Sequence, residues 1–358
     1  VKRKRSEQFN MKTGDPDNTS SENTLPLVRA ENLVKHFPIR KGAFGREAGQ
    51  VRAVDGVSFY IGEQETLGIA GESGCGKTTT GRLLLRLLKP SSGSIFYRNS
   101  PDLATLTRKE LRPYRREMQI IFQDPFSSLN PRMTVESALS EPVRLYKLAR
   151  NGSVRDRVVE LLESVGLRAE HLNRYPHEFS GGQRQRIGIA RALSVEPRLI
   201  VCDEAVSALD VSIQAQIINL LGALKDRLGL SYLFIAHDLS VVEHISDRVA
   251  IMYLGKFVEV AAKEELFANP LHPYTKALLD AVPVADPARR RERKLLEGDV
   301  PSPVNPPRGC RFHPRCPFRM PHCDQAEPAL EEVSPGHWAA CYLHTNKTSS
   351  GEQIEKPE

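Results

Sequence analysis

Gly71-Glu-Ser-Gly-Cys-Gly-Lys-Thr78 has the spacing G-x-x-x-x-G-K-[ST] of a loop that cradles phosphates. Its glycines let the backbone approach a ligand with no Cβ in the way. Backbone N–H groups and the N-terminus of a following helix suit negative charge. Lys77 would neutralise the β- and γ-phosphates of a nucleotide, and the Thr78 hydroxyl would hold Mg²⁺. Glu72, Ser73, Gly74, Cys75, Gly76 and Thr79 complete the candidate cradle, with the Cys75 side chain read as filler. Further on, Leu199-Ile-Val-Cys-Asp-Glu204 is an apolar run that delivers two acids at its end. Asp203 would hold Mg²⁺ through water, and Glu204 would polarise an attacking water as general base.

Cysteine placement marks a second constellation. Cys75 and Cys202 are isolated, whereas Cys310, Cys316, Cys323 and Cys341 crowd together as C-x5-C-x6-C-x17-C. Structural zinc sites usually show C-x2-C knuckles, and this group has none. Four thiolates on irregular loops suit an iron–sulfur cluster as well as zinc, and free structural thiols or disulfides stay open. His313, His322, His337 and His344 lie near enough in sequence to replace a ligand.

These residues need elements to hold them. Leu27 to Leu33 and Val51 to Ile61 read as strands, joined by a glycine-containing loop. Glu65 to Ala70 is a short strand running into the glycine loop, and Thr78 to Leu88 is a helix stopped by Lys89-Pro90. Val154 to Val165 and Ile213 to Leu228 are helices ended by Gly166 and Gly229. Arg198 to Cys202 and Tyr232 to Ala236 are buried strands. Strand alternating with helix predicts an α/β fold with a parallel sheet. The expected divisions are a disordered polar tail over 1–24, an α/β domain carrying the phosphate loop over 25–265, a proline-crowded, loop-rich extension over 266–345 and a frayed tail over 346–358.

A family resemblance now enters. Phe179-Ser-Gly-Gly-Gln-Arg-Gln-Arg186 resembles the signature motif of the ATP-binding-cassette ATPases, and the family's other motifs follow in order. Gln123 in Ile120-Ile-Phe-Gln-Asp124 is similar to the Q-loop glutamine, Ser207-Ala-Leu-Asp210 to the D-loop and His237 in Phe234-Ile-Ala-His-Asp238 to the switch histidine. Phe37 in Lys35-His-Phe-Pro38 resembles the aromatic that stacks on adenine. The resemblance implies a cassette with an antiparallel β subdomain and a helical signature subdomain. It implies that Ser180, Gly181, Gly182, Gln183 and Asp210 meet the nucleotide of an opposing subunit, that Gln123 joins Thr78 and Asp203 at Mg²⁺ and senses the γ-phosphate, and that His237 holds that phosphate in register. Ala205 stands where the family usually has proline, and both neighbouring carboxylates are kept.

Phe126-Ser-Ser-Leu-Asn-Pro131, Ser207-Ala-Leu-Asp-Val-Ser212, His237-Asp-Leu-Ser-Val-Val242 and His272-Pro-Tyr-Thr275 narrow the resemblance to bacterial dipeptide and oligopeptide importers. They resemble the F-type member of the ATPase pair. That implies a D-type ATPase as heterodimer partner, two transmembrane permeases, an extracytoplasmic binding protein, and a peripheral position on the cytoplasmic face of the inner membrane. Similar C-terminal cysteines in these ATPases are associated with a [4Fe–4S] cluster.

Bulk properties bound the rest. The 358 residues are 40% apolar and 26% charged, ordinary globular usage. No run approaches the roughly 20 apolar residues of a membrane span, and the basic Lys2-Arg-Lys-Arg5 is followed by polar residues, not a secretory core. A reducing compartment is therefore expected, which favours metal over disulfide. Net charge is +6, much of it in that tail and in Arg289, Arg290, Arg291, Arg293 and Lys294. Those clusters leave one rival, a soluble cassette ATPase acting on nucleic acid or ribosomes. The coiled-coil insertion, second cassette and C-x2-C hairpins that would mark it are missing, so no nucleic-acid partner is expected. A module that holds ATP without hydrolysing it is opposed by Glu204 and His237.

Overall fold

The computed structural model describes residues 25–41, 46–124, 129–149, 152–281 and 298–345. The expected terminal tails, the Arg289–Lys294 cluster and Phe126–Ser128 lie outside these residues. Two sheets carry the fold. Strands β1 (Val28–Lys41), β2 (Arg46–Ile61) and β4 (Ser92–Tyr97) make an antiparallel sheet in the order β2-β1-β4. The second sheet has eight strands. Its parallel part is β5 (Met118–Ile121), β6 (Leu199–Asp203), β7 (Ser231–Ile235), β3 (Thr66–Ala70) and β8 (Arg248–Tyr253), neighbours in that order. Antiparallel β9 (Lys256–Ala262), β11 (His337–Ala339) and β10 (Glu331–Ser334) continue it beyond β8.

Side-chain alternation gives the large sheet two cores. Ile200, Cys202, Tyr232 and Phe234 face a helical layer. Leu199, Val201, Leu233 and Ile235 face the antiparallel sheet. The helices are α1 (Lys77–Leu84), α2 (Tyr114–Glu117), α3 (Val135–Leu145), α4 (Val154–Ser164), α5 (Gly181–Leu193), α6 (Val211–Leu228), α7 (Leu239–Ile245), α8 (Lys263–Ala268) and α9 (Pro273–Ala281). Sequence signals set several ends. Ser153 and Asp156 form a capping box on α4, and Gly229 ends α6 at φ 63°. The expected helix to Leu88 stops at Leu84, because Arg86 turns left-handed at φ 53° and the Leu87 and Leu88 N–H groups both fold back to the Arg82 carbonyl.

The chain after residue 265 does not stand apart. Among the described residues after 265 no element is longer than the nine residues of α9, yet β10 and β11 extend the main sheet. Phe312 packs against the touching pair Tyr253 and Tyr274, 5.4 Å from each ring, and against His272. Arg311 donates to the Leu254 carbonyl and pairs with Asp55. Glu259, fully buried, accepts from the N–H groups of Leu271 and His272 and from the His337 ring, each at 2.8 Å. Burial pushes the Glu259 carboxyl up, and these donors outweigh it and hold it below its ordinary value. These contacts dock the extension.

His272 links this docking to pH. Burial pushes its ring down to about 4, against the pull of the Glu259 charge. Its Nδ1 accepts from the Tyr274 N–H at 3.1 Å, which fixes a neutral ring. An unfolded histidine titrates near about 6.5, so between there and about 4 the unfolded chain binds the extra proton. This group's contribution is therefore complete above about pH 6.5 and is lost as pH falls toward 4, by about 3 kcal/mol in all. Melting temperatures of the wild type and His272→Gln should converge as pH falls through this window. Parallel pH profiles would remove His272 from the account.

Candidate nucleotide site

Three segments leave the sheet side by side. Ile69 of β3 and Asp203 of β6 both pair with Ile235 of β7. The Ala236 N–H donates to the Ile69 carbonyl at 3.2 Å and the Glu204 N–H to the Ile235 carbonyl at 3.0 Å. The glycine loop, Asp203-Glu204 and His237 thus emerge at the C-terminal edge of the parallel strands, where open α/β sheets bind ligands.

The loop is tight. Gly71 has φ +150° and Gly76 φ +115°, and a Cβ on them would meet the Met252 and Ala53 carbonyl oxygens at 2.2 and 2.1 Å. Gly76 caps α1 without a side chain, and the first turn holds no acid, so the helix end suits an anion. Lys77 is 4% exposed, and its Nζ donates to the Gly71 and Glu72 carbonyls at 2.8 and 3.0 Å. Ser73 and Gly74 are exposed, and Thr79 is half-buried. The Cys75 side chain lies in the core beneath, where burial pushes its thiol up, so it is packing as read. Glu72 turns to the extension. Its N–H donates to Tyr274 Oη at 2.9 Å, and its carboxylate accepts two bonds from Arg315.

Asp203 meets its expected partner, whereas Gln123 goes to Glu204. Thr78 Oγ1 donates to Asp203 Oδ1 at 2.7 Å, and Asp203 is 2% exposed. A hydroxyl beside a carboxylate is a pair of hard oxygen donors, which fits Mg²⁺. Gln123 Nε2 donates to Glu204 Oε2 at 2.8 Å, and His237 Nδ1 lies 3.9 Å from the same oxygen. Gln123 thus bonds Glu204 rather than the Thr78–Asp203 pair, a departure from its expected place at Mg²⁺. Glu204 sits at φ 49°, in the left-handed region, and its carbonyl accepts from the Ser207 N–H and Oγ at 3.1 and 3.0 Å. Ser207 therefore fixes the turn where the family's proline is replaced by Ala205.

The signature residues form a unit of their own. Ser180 Oγ accepts from the Gln183 N–H at 3.3 Å, and Gln183 Oε1 accepts from the Ser180 N–H at 3.0 Å, a capping box at the start of α5. Gly181 is half-buried with room beside it, whereas a Cβ on Gly182 would meet Ile213 of α6 at 2.5 Å, so Gly182 also serves helix packing. Asp210 caps α6, and bonds from the Ile213 N–H and the Ser212 hydroxyl hold its carboxyl below its ordinary value. Phe37 is half-buried on β1 and belongs to neither core, with Lys35 Nζ 5.2 Å from its ring centroid.

The cysteines gather without forming a ligand set. Burial pushes Cys310 up to about 12, and the Cys341, Cys323 and Cys316 thiols lie close enough to add to this. Burial likewise raises Cys316, and Cys341 to about 11. Yet among the described residues no three His, Cys, Asp or Glu side chains converge to hold a metal. The geometry therefore does not support the iron–sulfur or zinc expectation. All six cysteines are free thiols. The nearby histidines are engaged elsewhere: His313 with the Cys310 carbonyl, His322 against Tyr342, His337 with Glu259 and His344 with the Leu271 carbonyl.

Three residues were missed. Arg82, 3.6 Å from Asp203, lies in the last turn of α1, on a helix whose later polar residues draw no notice. Tyr274 stands in a quoted motif without a role, and Arg315 meets Glu72 across a separation that no local signal spans.

Comparison with known proteins agrees with this geometry. Residues 54–207 match the family model described as "ABC transporter", and residues 258–323 match "Oligopeptide/dipeptide transporter, C-terminal region". The oligopeptide transport ATP-binding protein AppF of Bacillus subtilis is 52% identical over 329 residues, covering 91% of this chain and 100% of AppF. YkfD of the same strain is 54% identical over 325 residues, covering 90% of this chain and 97% of YkfD. A dimeric, post-hydrolysis structure of the cassette MJ0796 bound to ADP and Pi aligns with TM-score 0.56 and 27% identity, over 66% of this chain and 98% of that one. With a phosphate loop, an acid pair and a signature helix in place, and full-length relatives at this identity, the chain belongs to the ATP-binding-cassette ATPases of the oligopeptide and dipeptide transporters.

Proposed function

We propose that this chain is the ATP-hydrolysing subunit of an ABC importer for di- or oligopeptides, with MgATP as substrate. The observation that carries the reading is the 2.7 Å bond between Thr78 and Asp203, beside the Gln123–Glu204 pair. Lys77 and the α1 N-terminus would take the phosphates. Thr78 and Asp203 would hold Mg²⁺, which supplies charge neutralisation at the β- and γ-oxygens. Glu204 would accept the proton of the attacking water, oriented by Gln123 and His237 on one of its oxygens. Phe37 would stack on adenine. Matching of residues 258–323 to a transporter region favours this over a soluble cassette acting on nucleic acid. As the ATPase of an importer the chain would sit peripherally on the cytoplasmic face, and among the described residues no helix is long and apolar enough to cross a membrane.

The finer reading divides the chain into a cassette over 25–265 and an extension over 266–345, between tails. It makes the chain the F-type member of an ATPase pair. Ser180, Gly181, Gly182, Gln183 and Asp210 would meet nucleotide held by a D-type partner, with two permeases and an extracytoplasmic binding protein completing the complex. The signature unit supports this: the Ser180 and Gln183 side chains each accept from the other's backbone N–H, which fixes the start of α5, and the positive end of that helix suits an anion. The four-cysteine group is carried as a cluster or zinc site on the mutual reach of its thiols alone.

Glu204→Gln should keep MgATP binding and lose about 10²- to 10⁴-fold in hydrolysis by the assembled complex, as for loss of a general base. Turnover within about threefold of wild type would overturn that role. A gentle detergent pull-down from native membranes should recover a second cassette ATPase and two permeases. Recovery with ribosomes or nucleic acid would instead favour the soluble rival. Metal analysis of anaerobically purified chain tests this group, and iron with sulfide, or one zinc, that is lost on substitution of Cys316 by Ser would support it against the geometry. Metal-free chain would close the question against the cluster.

A further inference from the structure

The second residue of the phosphate loop is held by the extension, from both its backbone and its side chain. Glu72 N–H donates to Tyr274 Oη at 2.9 Å. Arg315 Nη1 and Nη2 donate to the two Glu72 carboxylate oxygens at 2.9 and 3.1 Å, a bidentate pair. The Arg315 side chain is 7% exposed and that of Glu72 25%, so the pair is shielded. Arg315 also reaches Tyr253 Oη at 3.5 Å, and Tyr253 and Tyr274 pack together with ring centroids 4.6 Å apart. Burial opposes the guanidinium charge, and the Glu72 carboxylate and Tyr253 hydroxyl overcome it and raise Arg315 above its ordinary value. On its other side the Glu72 carbonyl accepts from Lys77 Nζ at 3.0 Å. A chain of contacts thus runs from a short turn at His313–Arg315, between Cys310 and Cys316, to the lysine that would meet the phosphates.

The chemistry gives this chain a task. Glu72 puts a carboxylate in the loop that must accept several negative charges. Unpaired, it would repel phosphate and pull Lys77 toward itself. Paired with Arg315, its charge is balanced and turned away from Lys77. We propose that Arg315 is a positioning residue for the nucleotide site: through Glu72, with Tyr274 fixing the backbone, the C-terminal extension holds the phosphate loop in its binding shape and cancels its negative charge. The proposal rests on the nucleotide-site reading above.

The test uses the full chain and N-methylanthraniloyl-ATP with Mg²⁺, followed by fluorescence, with melting temperature measured in parallel. Arg315→Gln should weaken binding about tenfold, since it strands a shielded carboxylate beside the phosphates. Arg315→Lys, which keeps the charge and loses the fork, should fall between. Glu72→Gln combined with Arg315→Gln should recover most of the affinity, because the stranded charge is gone. A purely structural arginine would lower the melting temperature of both Gln variants and show no such recovery. Wild-type binding with equal affinity in all variants, or losses in the double variant that simply add, would overturn the clamp. Failure of the wild type itself to bind would overturn the nucleotide-site reading and the clamp with it.

Discussion

The register at Ile235 is the constraint on which the site depends. Because Ile69 and Asp203 both align with that one residue, three strands far apart in sequence end at one level. A slip of one residue would move Asp203 away from Thr78 and would also exchange the two faces of a strand that is buried on both. The two cores therefore lock the register, and the register sets the 2.7 Å contact between hydroxyl and carboxylate. Precision at the site is bought by the apolar residues beneath it.

Around that edge the charges are arranged in pairs. Asp203 has Arg82 and Thr78, Glu204 has Gln123 and His237, and Glu72 has Arg315. Lys77 is the exception, since it bonds only loop carbonyls and a sulfur. Its charge is available to a phosphate, because the acids nearest it, Glu72 and Asp203, have other partners. Coulomb attraction in a shielded loop is several times stronger than in water, so this allocation matters more than the number of charges.

Local chemistry was legible in the sequence and long-range chemistry was not. The glycine loop, the acid pair, Gln123 and His237 follow from residue type, spacing and family resemblance, and all are brought to one edge. Buried strands such as β6 and β7 declare themselves by apolar runs bounded by charge or glycine. Leu87 misled the α1 boundary because an apolar residue at helical spacing looks the same whether buried or, as here, more than half exposed. The cysteines show the converse. Their types suggested a ligand set, but ligation depends on side-chain convergence, which spacing on irregular loops does not fix. Arg315 and Arg311 were unreadable because their partners, Glu72 and Asp55, lie in distant segments.

The extension illustrates how a proline-rich segment can be ordered without regular elements of its own. Phe312 enters a core that the cassette has already formed, so little new apolar surface is needed. Its alignment then comes from polar contacts at fixed points: the ion pairs of Arg311 with Asp55 and Arg315 with Glu72, and the hydrogen bond between His337 and Glu259. Shielded pairs of this kind add modestly to net stability, because desolvation offsets attraction, yet breaking one partner is costly. They therefore discriminate between correct and incorrect docking more than they strengthen it. One of those three points is the phosphate loop itself, so an extension seated wrongly would leave Glu72 unpaired where the phosphates must bind.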